Sequence, residues 1–268
     1  MSVNGTRIPM AEVNFLCAHK KLRDKRLAPL LIKEVTRRVN LRNQWQAIYT
    51  SGTILPTPFG TAPYWHRNLN PLKLVDVRFA FKPANTSRAN FQKMHRLPEE
   101  TYTQGLMKME ESMVPAVTAA LNRHLESYKV HICFNENEVR HFFMPKEQVI
   151  YSWVVYDQAS GEVSDFISFY ALNSQVLQDD KHDMIYAAYA YYNFVKGNDP
   201  ERMKQLMRDA LILAKQHNFD VFNMTEVLQH GLVKNDLLFK PGDGKLSHYL
   251  YNWRISAINP NDIGIVLV

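Results

Sequence analysis

Positive charge is concentrated at one predicted junction between a strand and a helix. The basic residues of this junction are Lys20, Lys21, Arg23, Lys25 and Arg26. Backbone N–H groups at a helix start lack intrahelical acceptors and bind anions, whereas cationic side chains there oppose the helix dipole. A bound polyphosphate would resolve that conflict. A solvated basic loop explains the same residues, so the spacing alone leaves both alternatives open.

The basic excess belongs to the first fifty residues. The whole chain has 32 Lys and Arg against 26 Asp and Glu, a net charge of +6. Residues 1–50 hold ten basic and three acidic side chains, so the remainder is close to neutral. A local basic patch is typical of a surface that faces phosphates or acidic partners. Nucleic-acid binding is less favoured, because no aromatic residues interleave the basic cluster.

Size and composition predict an ordinary globular protein. The 268 residues are 46% hydrophobic and 22% charged, which fits one large domain or two small ones and excludes disorder. Cys17 and Cys133 cannot form a disulfide framework or a four-cysteine zinc site, and we predict no metal ligands. The longest apolar run, 184–192, is too short for a membrane span, so a cytoplasmic location is expected.

The elements that would position the basic junction alternate between strands and helices. Pro29 fixes the start of a helix whose apolar face is Leu27, Leu30, Leu31 and Val35. The patterns predict a buried strand over 12–17, that helix over 26–39, strands over 45–50 and 74–79, an ordered loop over 53–63 and a linker over 82–90.

The second part of the chain mixes helices and strands again. Gly161 lies in the turn of a predicted hairpin, and Asp199-Pro200 is a helix start with Pro in the first turn. The predicted elements are a helix over 112–128, a hairpin of strands 149–156 and 163–171, a helix after Asp199, a strand over 219–222, a hairpin over 237–253 that turns at 241–244, and a final strand over 263–268.

Six stretches of the sequence carry a resemblance to a known family. They are NFLCAHKKLRDKRLAPLLI at 14–32, WQAIYTSGTILPTPFGTAPYWHRNLN at 45–70, SDFISFY at 164–170, AAYAYYN at 187–193, FDVFN at 219–223 and GDGKLSHYLYNW at 242–253. In this order they resemble the N-myristoyltransferases. The resemblance implies an α+β fold of two acetyltransferase-like (GNAT) halves, with mixed sheets flanked by helices. Residues 1–81 would form a first half truncated at its N-terminus, and 91–268 the second half with the peptide groove.

The resemblance implies an acyltransferase that modifies proteins by N-myristoylation. Myristate would move from myristoyl-CoA, a co-substrate rather than a cofactor, to the N-terminal glycine of peptides and proteins. The family pattern also places this chain as the C-terminal two thirds of the catalytic core, and a complete enzyme would be a monomer. Two alternatives stay open: a non-catalytic peptide-binding fragment, and an anion- or nucleic-acid-binding protein that uses residues 19–26.

The resemblance assigns roles to residues at the basic junction. Backbone N–H groups of Phe15 and Leu16 would form an oxyanion hole, and Asn14 and Thr50 would lie near the incoming amine. The residues assigned to acyl-CoA are Phe15, Leu16, Cys17, Ala18, Asp24, Arg26, Leu27 and Ala28. Asp24 departs from the family, which usually has Ser there, and a carboxylate beside a phosphate would need to pair with Lys25 or Arg23.

The same resemblance assigns the peptide groove and the base. The groove residues are Gly52, Tyr64, His66, Phe79, Ser168, Tyr189, Asn223, Asp243, Gly244 and Leu267. The base would be the chain's own α-carboxylate on Val268. The apolar run 263–267 agrees with a buried terminus, and most chain ends fray instead.

Overall fold

The computed structural model describes residues 1–177 and 179–267, and its secondary structure is mixed. The helices of this part are α1 (Leu27–Asn40), α2 (Pro71–Asp76), α3 (Arg88–Met94), α4 (Val114–Leu125), α5 (Glu136–Phe143) and α6 (Pro200–Gln216). The strands are β1 (Ser2–Val3), β2 (Thr6–Arg7), β3 (Ala11–Val13), β4 (Ala47–Ser51), β5 (Gly60–Asn68), β6 (Leu106–Lys108), β7 (Val130–His131), β8 (Ile150–Asp157), β9 (Glu162–Ala171), β10 (Ser174–Gln175), β11 (Met184–Ile185), β12 (Ala187–Ala190), β13 (Phe194–Val195), β14 (Val221–Thr225), β15 (Lys240–Tyr251) and β16 (Ile263–Gly264). No described helix is long and apolar enough to cross a membrane.

A long mixed sheet organises the described residues. Its strand order is β3-β4-β15-β5-β14-β12-β9-β8-β6, and β13 also pairs with β9. The pairs β3–β4 and β12–β14 are parallel, and the other neighbours along this order are antiparallel. Strand β15, from late in the chain, lies between β4 and β5 from its first part. The division into halves at 81 and 91 stays a prediction.

Helices cover the sheet on both faces. Successive residues of a strand point to opposite faces. On β9, Phe166 and Tyr170 join one core cluster with α4, whereas Ile167 and Phe169 join the other with α6. Mixed sheets flanked by helices are therefore what the structure contains, and the predicted α+β class is confirmed.

Several predicted elements are confirmed. The helices α1 and α4 match the predicted helices 26–39 and 112–128, with ends that differ by at most one turn. The hairpin of β8 and β9 turns through Gly161, which has a φ of +71°. The Asp199 side chain accepts hydrogen bonds from two backbone N–H groups at the start of α6, and Pro200 is the first helical residue. Strands 45–50 and 219–222 are found as β4 and β14.

Two strand predictions in the first part are wrong. The predicted buried strand 12–17 ends at Val13 in the structure, and Phe15 is 68% exposed. The predicted strand 74–79 is instead helical, because α2 begins at Pro71 and ends at Asp76. Proline with its fixed φ favours the first turn of a helix, and this signal outweighs the apolar residues that follow it.

The predicted loop 53–63 is confirmed only up to residue 59, and the predicted hairpin 237–253 is wrong, for a shared reason. β5 begins at Gly60, and β15 runs unbroken through 241–244 with an irregular register against β5 between Pro241 and Lys245. Pro63 lies at this bulge, where the missing N–H costs little. A Pro- and Gly-rich stretch thus forms a bulge rather than a turn, since both flanks pair with the same strand.

Three further boundaries differ from the sequence predictions. The predicted linker 82–90 ends in α3, which Ser87 caps through a hydrogen bond from the Asn90 N–H. Of the predicted final strand 263–268, only Ile263–Gly264 pairs with another strand. Val268 lies outside the described residues. The predicted apolar face of α1 is not part of the core, because this helix has no buried residue and Leu30 is 62% exposed.

Replacing Gly264 by alanine is expected to destabilise the chain by about 1–3 kcal/mol, the usual cost of overpacking. A Cβ there would lie 2.9 Å from the Cβ atoms of His131 and Tyr128, which are fixed to the backbone. Gly52→Ala is the matched control, because a Cβ at that position meets nothing within 4 Å. Urea unfolding of both variants measures the difference, and equal midpoints would contradict the packing argument.

Candidate functional site

The backbone changes direction sharply after β3. Phe15 adopts a φ of +54°, a left-handed conformation that is uncommon for a large side chain. Among the described residues, no acceptor is found for the N–H groups of Phe15 and Leu16. Strain held at one position together with two free donors is a combination found at functional sites.

The basic junction lies between this turn and α1. Residues 20–25 form a 3₁₀ helix, Arg26 adopts a φ of +53°, and α1 begins at Leu27 with no side-chain cap and no acidic residue in its first turn. Asp24 lies 3.8 Å from the Lys25 ammonium, and both side chains are exposed. Of the predicted acyl-CoA residues, Cys17 and Ala18 precede the 3₁₀ helix, Asp24 lies in it, and Arg26, Leu27 and Ala28 follow it. The first turn of α1 thus offers free N–H groups beside cationic side chains.

A cavity of about 580 Å³ opens between the end of β3, α1 and the sheet. Its walls come from β4, β5, β9, β12, β15 and the last described residues. The predicted site residues that line it are Asn14, Phe15, Leu16, Thr50, Tyr64, Tyr189 and Leu267. Residues 250 positions apart in the sequence therefore share one wall.

The described residues that line the cavity carry no charge at neutral pH. The described lining residues include no Asp, Glu, Lys, Arg or His. Burial raises the pKa of Tyr64 to about 12 and also raises the pKa values of Tyr170 and Tyr189, so these hydroxyls stay protonated. Pockets of this volume with apolar walls and a few polar groups are typical of small-molecule sites.

A row of polar side chains continues from the cavity across the sheet. Tyr189 of β12 pairs with Asn223 of β14, which pairs with His66 of β5. The Nδ1 of His66 lies 2.6 Å from the Asn223 Oδ1, so with that oxygen as acceptor the proton is on Nδ1. Phe79 packs edge-on against the His66 ring at 5.3 Å between centroids. Tyr64 and His66 are two residues apart on β5 and so share one face.

The bulge of β15 packs on this row. A Cβ at Gly242 would clash with the Nε2 of the His66 ring, so glycine is what allows this close approach. A Cβ at Gly244 would lie 3.4 Å from the Tyr64 ring. Asp243 lies between these two glycines, so the segment predicted as a turn still meets the other predicted groove residues.

Two predicted groove residues lie in other surroundings. Ser168 is fully buried, and its hydroxyl donates to the Tyr192 carbonyl and accepts from the Tyr192 N–H. Gly52 is exposed in the bend after β4, next to cavity residue Ser51.

The sequence reasoning missed several aromatic residues of the site. Tyr170 lines the cavity, and Tyr192 and Tyr249 hydrogen bond to backbone segments of its wall. The tyrosine-rich run 187–193 was the available signal. It does not say which hydroxyls meet which backbone, because that depends on the strand order.

Comparisons with known proteins show which family this chain belongs to. The model of the myristoyl-CoA:protein N-myristoyltransferase C-terminal domain matches residues 76–266, and the model of the N-terminal domain matches residues 1–62. The chain belongs to the N-myristoyltransferase family. The family predicted from the six motifs is thereby confirmed.

Relatives in this family are similar over the whole chain. An Arabidopsis thaliana glycylpeptide N-tetradecanoyltransferase 1 is 48% identical over 97% of this chain and 60% of its own length. The Plasmodium falciparum enzyme of that name is 44% identical over 100% of this chain and 64% of its own length. The chain thus spans about three fifths of the length of these N-myristoyltransferase relatives.

Solved structures show the same fold. A crystal structure of Saccharomyces cerevisiae N-myristoyltransferase with bound myristoyl-CoA superposes with a TM-score of 0.95 at 35% identity, over 100% of this chain and 68% of that one. A GCN5-related N-acetyltransferase from Anabaena variabilis gives a TM-score of 0.50 at 10% identity, which shows a GNAT-like fold only.

Proposed function

We propose that this chain carries the acyl-transfer site of an N-myristoyltransferase, which moves myristate from myristoyl-CoA to an N-terminal glycine. The observation that carries the proposal is the cavity of about 580 Å³, whose described lining residues are uncharged and which has the N–H groups of Phe15 and Leu16, free among the described residues, at its edge. An acyl chain matches the apolar walls, and the free donors match a carbonyl oxygen. A crystal structure of the similar yeast enzyme contains bound myristoyl-CoA.

The reaction is a direct attack of the amine on the thioester. The glycine nitrogen bonds to the carbonyl carbon, the carbon–sulfur bond breaks, and CoA leaves as the thiol after taking up the proton that the amine loses. The N–H groups of Phe15 and Leu16 would stabilise the oxyanion between these steps. Loss of one such donor typically lowers the rate by about 10²–10³-fold.

The CoA end of the substrate would bind at the basic junction. Its pyrophosphate would accept hydrogen bonds from free N–H groups at the start of α1, with the charge of Arg26 beside it. The 3.8 Å contact between Asp24 and Lys25 keeps the carboxylate paired, which reduces its repulsion of a phosphate. Cys17 and Ala18 would contact the ligand between the turn and the junction.

The peptide would lie along the row of Tyr189, Asn223 and His66 with its amine near Asn14 and Thr50. A peptide α-amine has a pKa of about 7.7–8.0, so a base must remove its proton before attack. We assign this role to the α-carboxylate of Val268. We also propose that the protein acts in the cytoplasm, that the complete enzyme is a monomer, and that it serves lipoprotein modification.

The test is acyl transfer by the chain from labelled myristoyl-CoA to two peptides that differ only in a first Gly or Ala. The Ala peptide is expected to react about 5- to 150-fold more slowly, because an added methyl in a tight site costs about 1–3 kcal/mol. Equal rates would contradict the glycine site. Peptide binding without any transfer would instead support a non-catalytic peptide-binding fragment.

A further inference from the structure

The last described residues are buried although they pair with no strand after Gly264. β16 ends at Gly264, and Ile265, Val266 and Leu267 are all buried. Leu267 forms part of the cavity wall. The position of this C-terminal segment (residues 265–267) therefore depends on contacts other than a sheet ladder.

The hydroxyl of Tyr192 makes two hydrogen bonds with this segment. It accepts from the Val266 N–H at 3.2 Å and donates to the Val266 carbonyl at 3.4 Å. Both backbone groups of one residue are thus bound by one oxygen atom. Burial raises the pKa of Tyr192, so the phenol keeps the proton that it donates.

Tyr192 itself is held from several sides. Its ring is fully buried and packs edge-on against Phe134 and Phe143, at 5.3 and 5.6 Å between centroids. The hydroxyl of Ser168 binds both the N–H and the carbonyl of Tyr192. The phenol oxygen thus has little freedom to move, so its hydrogen bonds restrict the position of Val266.

A second segment of the cavity wall is held by the same arrangement of hydrogen bonds. Leu55 belongs to the irregular segment before β5 and lines the cavity. The hydroxyl of Tyr249 accepts from the Leu55 N–H at 2.8 Å and donates to the Leu55 carbonyl at 3.2 Å. These two irregular segments of the wall are therefore each bound by a tyrosine hydroxyl that meets both backbone groups of one residue.

We propose that Tyr192 is a positioning residue for acyl transfer: its hydroxyl fixes Val266, and through it the place in the cavity wall of Leu267, which precedes the assigned base in the sequence. This inference rests on the proposed function. Tyr192 touches neither substrate. It acts by holding the backbone that ends in the assigned base, so its loss should lower the rate of the chemical step more than it weakens binding.

The test compares Tyr192→Phe with the unchanged chain and with Tyr151→Phe. The phenylalanine keeps the ring packing and removes only the hydroxyl. Tyr151 is the matched control, because its ring is also buried and its hydroxyl also accepts from a backbone N–H, that of Gln148 at 3.0 Å, in the other core cluster. Two readouts are measured: amide hydrogen exchange of Val266, and kcat and KM for transfer to a Gly-first peptide.

Tyr192→Phe is expected to speed exchange of the Val266 amide by about tenfold or more, the effect of one lost buried hydrogen bond. We expect kcat to fall at least about tenfold while both KM values stay within about threefold. Tyr151→Phe should leave both readouts near the native values.

Three outcomes overturn the inference: unchanged Val266 exchange, faster exchange with unchanged kcat, or the same kcat loss in Tyr151→Phe. A native chain that transfers no myristate overturns the proposed function instead. In that case the Val266 exchange still decides whether Tyr192 positions the segment, and an unchanged rate there rejects the inference on its own.

Discussion

A chain lengthened by Gly-Ser-Ser after Val268 is expected to lose at least about 10²-fold in the rate of acyl transfer, the usual lower bound for a general base. The extension turns the α-carboxylate into a neutral amide and adds residues next to Leu267, which lines the cavity. The basic junction at residues 20–28 is unchanged, so myristoyl-CoA affinity should stay within about threefold of native. Single-turnover transfer and calorimetry measure the two quantities.

The control inserts the same three residues between Ser160 and Gly161. This exposed hairpin turn tolerates extra residues, since loop length changes the closure entropy only slowly. The insertion lies next to the start of β9, and cavity residue Tyr170 lies eight residues further along this strand. At 3.3 Å per residue the start of β9 is about 26 Å from Tyr170, so the insertion is remote from the cavity. A native rate in the extended chain would show that another group removes the proton, and His66 would be the next candidate.

The free energy of unfolding is expected to fall steeply between pH 6.5 and pH 4. Burial lowers the pKa values of His124, His230 and His248 to about 4, from an ordinary value of 6.5. Between these pH values the unfolded chain binds protons that the folded chain does not. The contribution of these three histidines to the free energy of unfolding is therefore fully present above pH 6.5 and is lost as the pH falls. Each group contributes at most about 3 kcal/mol, so three together rival the whole stability of a typical domain.

The environments of two of these histidines explain why they stay neutral. His230 is almost fully buried, and among the described residues its Nδ1 has no hydrogen-bond partner. The nearby His124 lowers the pKa of His230 further, because two imidazolium charges would repel each other. Protonation of both in the folded chain is thus unfavourable.

His230→Gln tests this prediction through the pH dependence rather than through stability alone. Glutamine does not titrate, so the variant should take up about one proton fewer on unfolding between pH 6.5 and 4. His141→Gln is the control, since this exposed side chain is hydrated in the folded and the unfolded chain. Urea unfolding at half-unit pH steps gives the slopes, and identical slopes for His230→Gln and the native chain would contradict the assignment.

Local signals in the sequence predicted the helices and the hairpin correctly. Pro29 and Pro200 lie in first helical turns and Asp199 caps α6, as predicted, because a fixed φ and a side-chain cap act within one turn. The hairpin of β8 and β9 follows from Gly161 and two flanking apolar runs. These predictions need no information about distant residues.

The bulge at 241–244 shows where local signals mislead. Its Pro and Gly residues indicate a turn, and a turn would reverse the chain. In the structure Lys240 and Lys245 both pair with β5, and the extra residues bring Gly242 against His66. The first four residues of β5, the partner strand that decides this, fall within the stretch 53–63 that the sequence predicts as a loop.

The sequence by itself determined the family, the α+β class and the residue types of the candidate site, since the six motifs and their order can be read without knowledge of the fold. Tertiary structure alone decided which of those residues meet. The row of Tyr189, Asn223 and His66 exists because β12, β14 and β5 are neighbours in the sheet. The contact between Tyr192 and Val266 joins residues 74 positions apart. Sheet order and burial free energy depend on all strands at once, so no local pattern encodes such contacts.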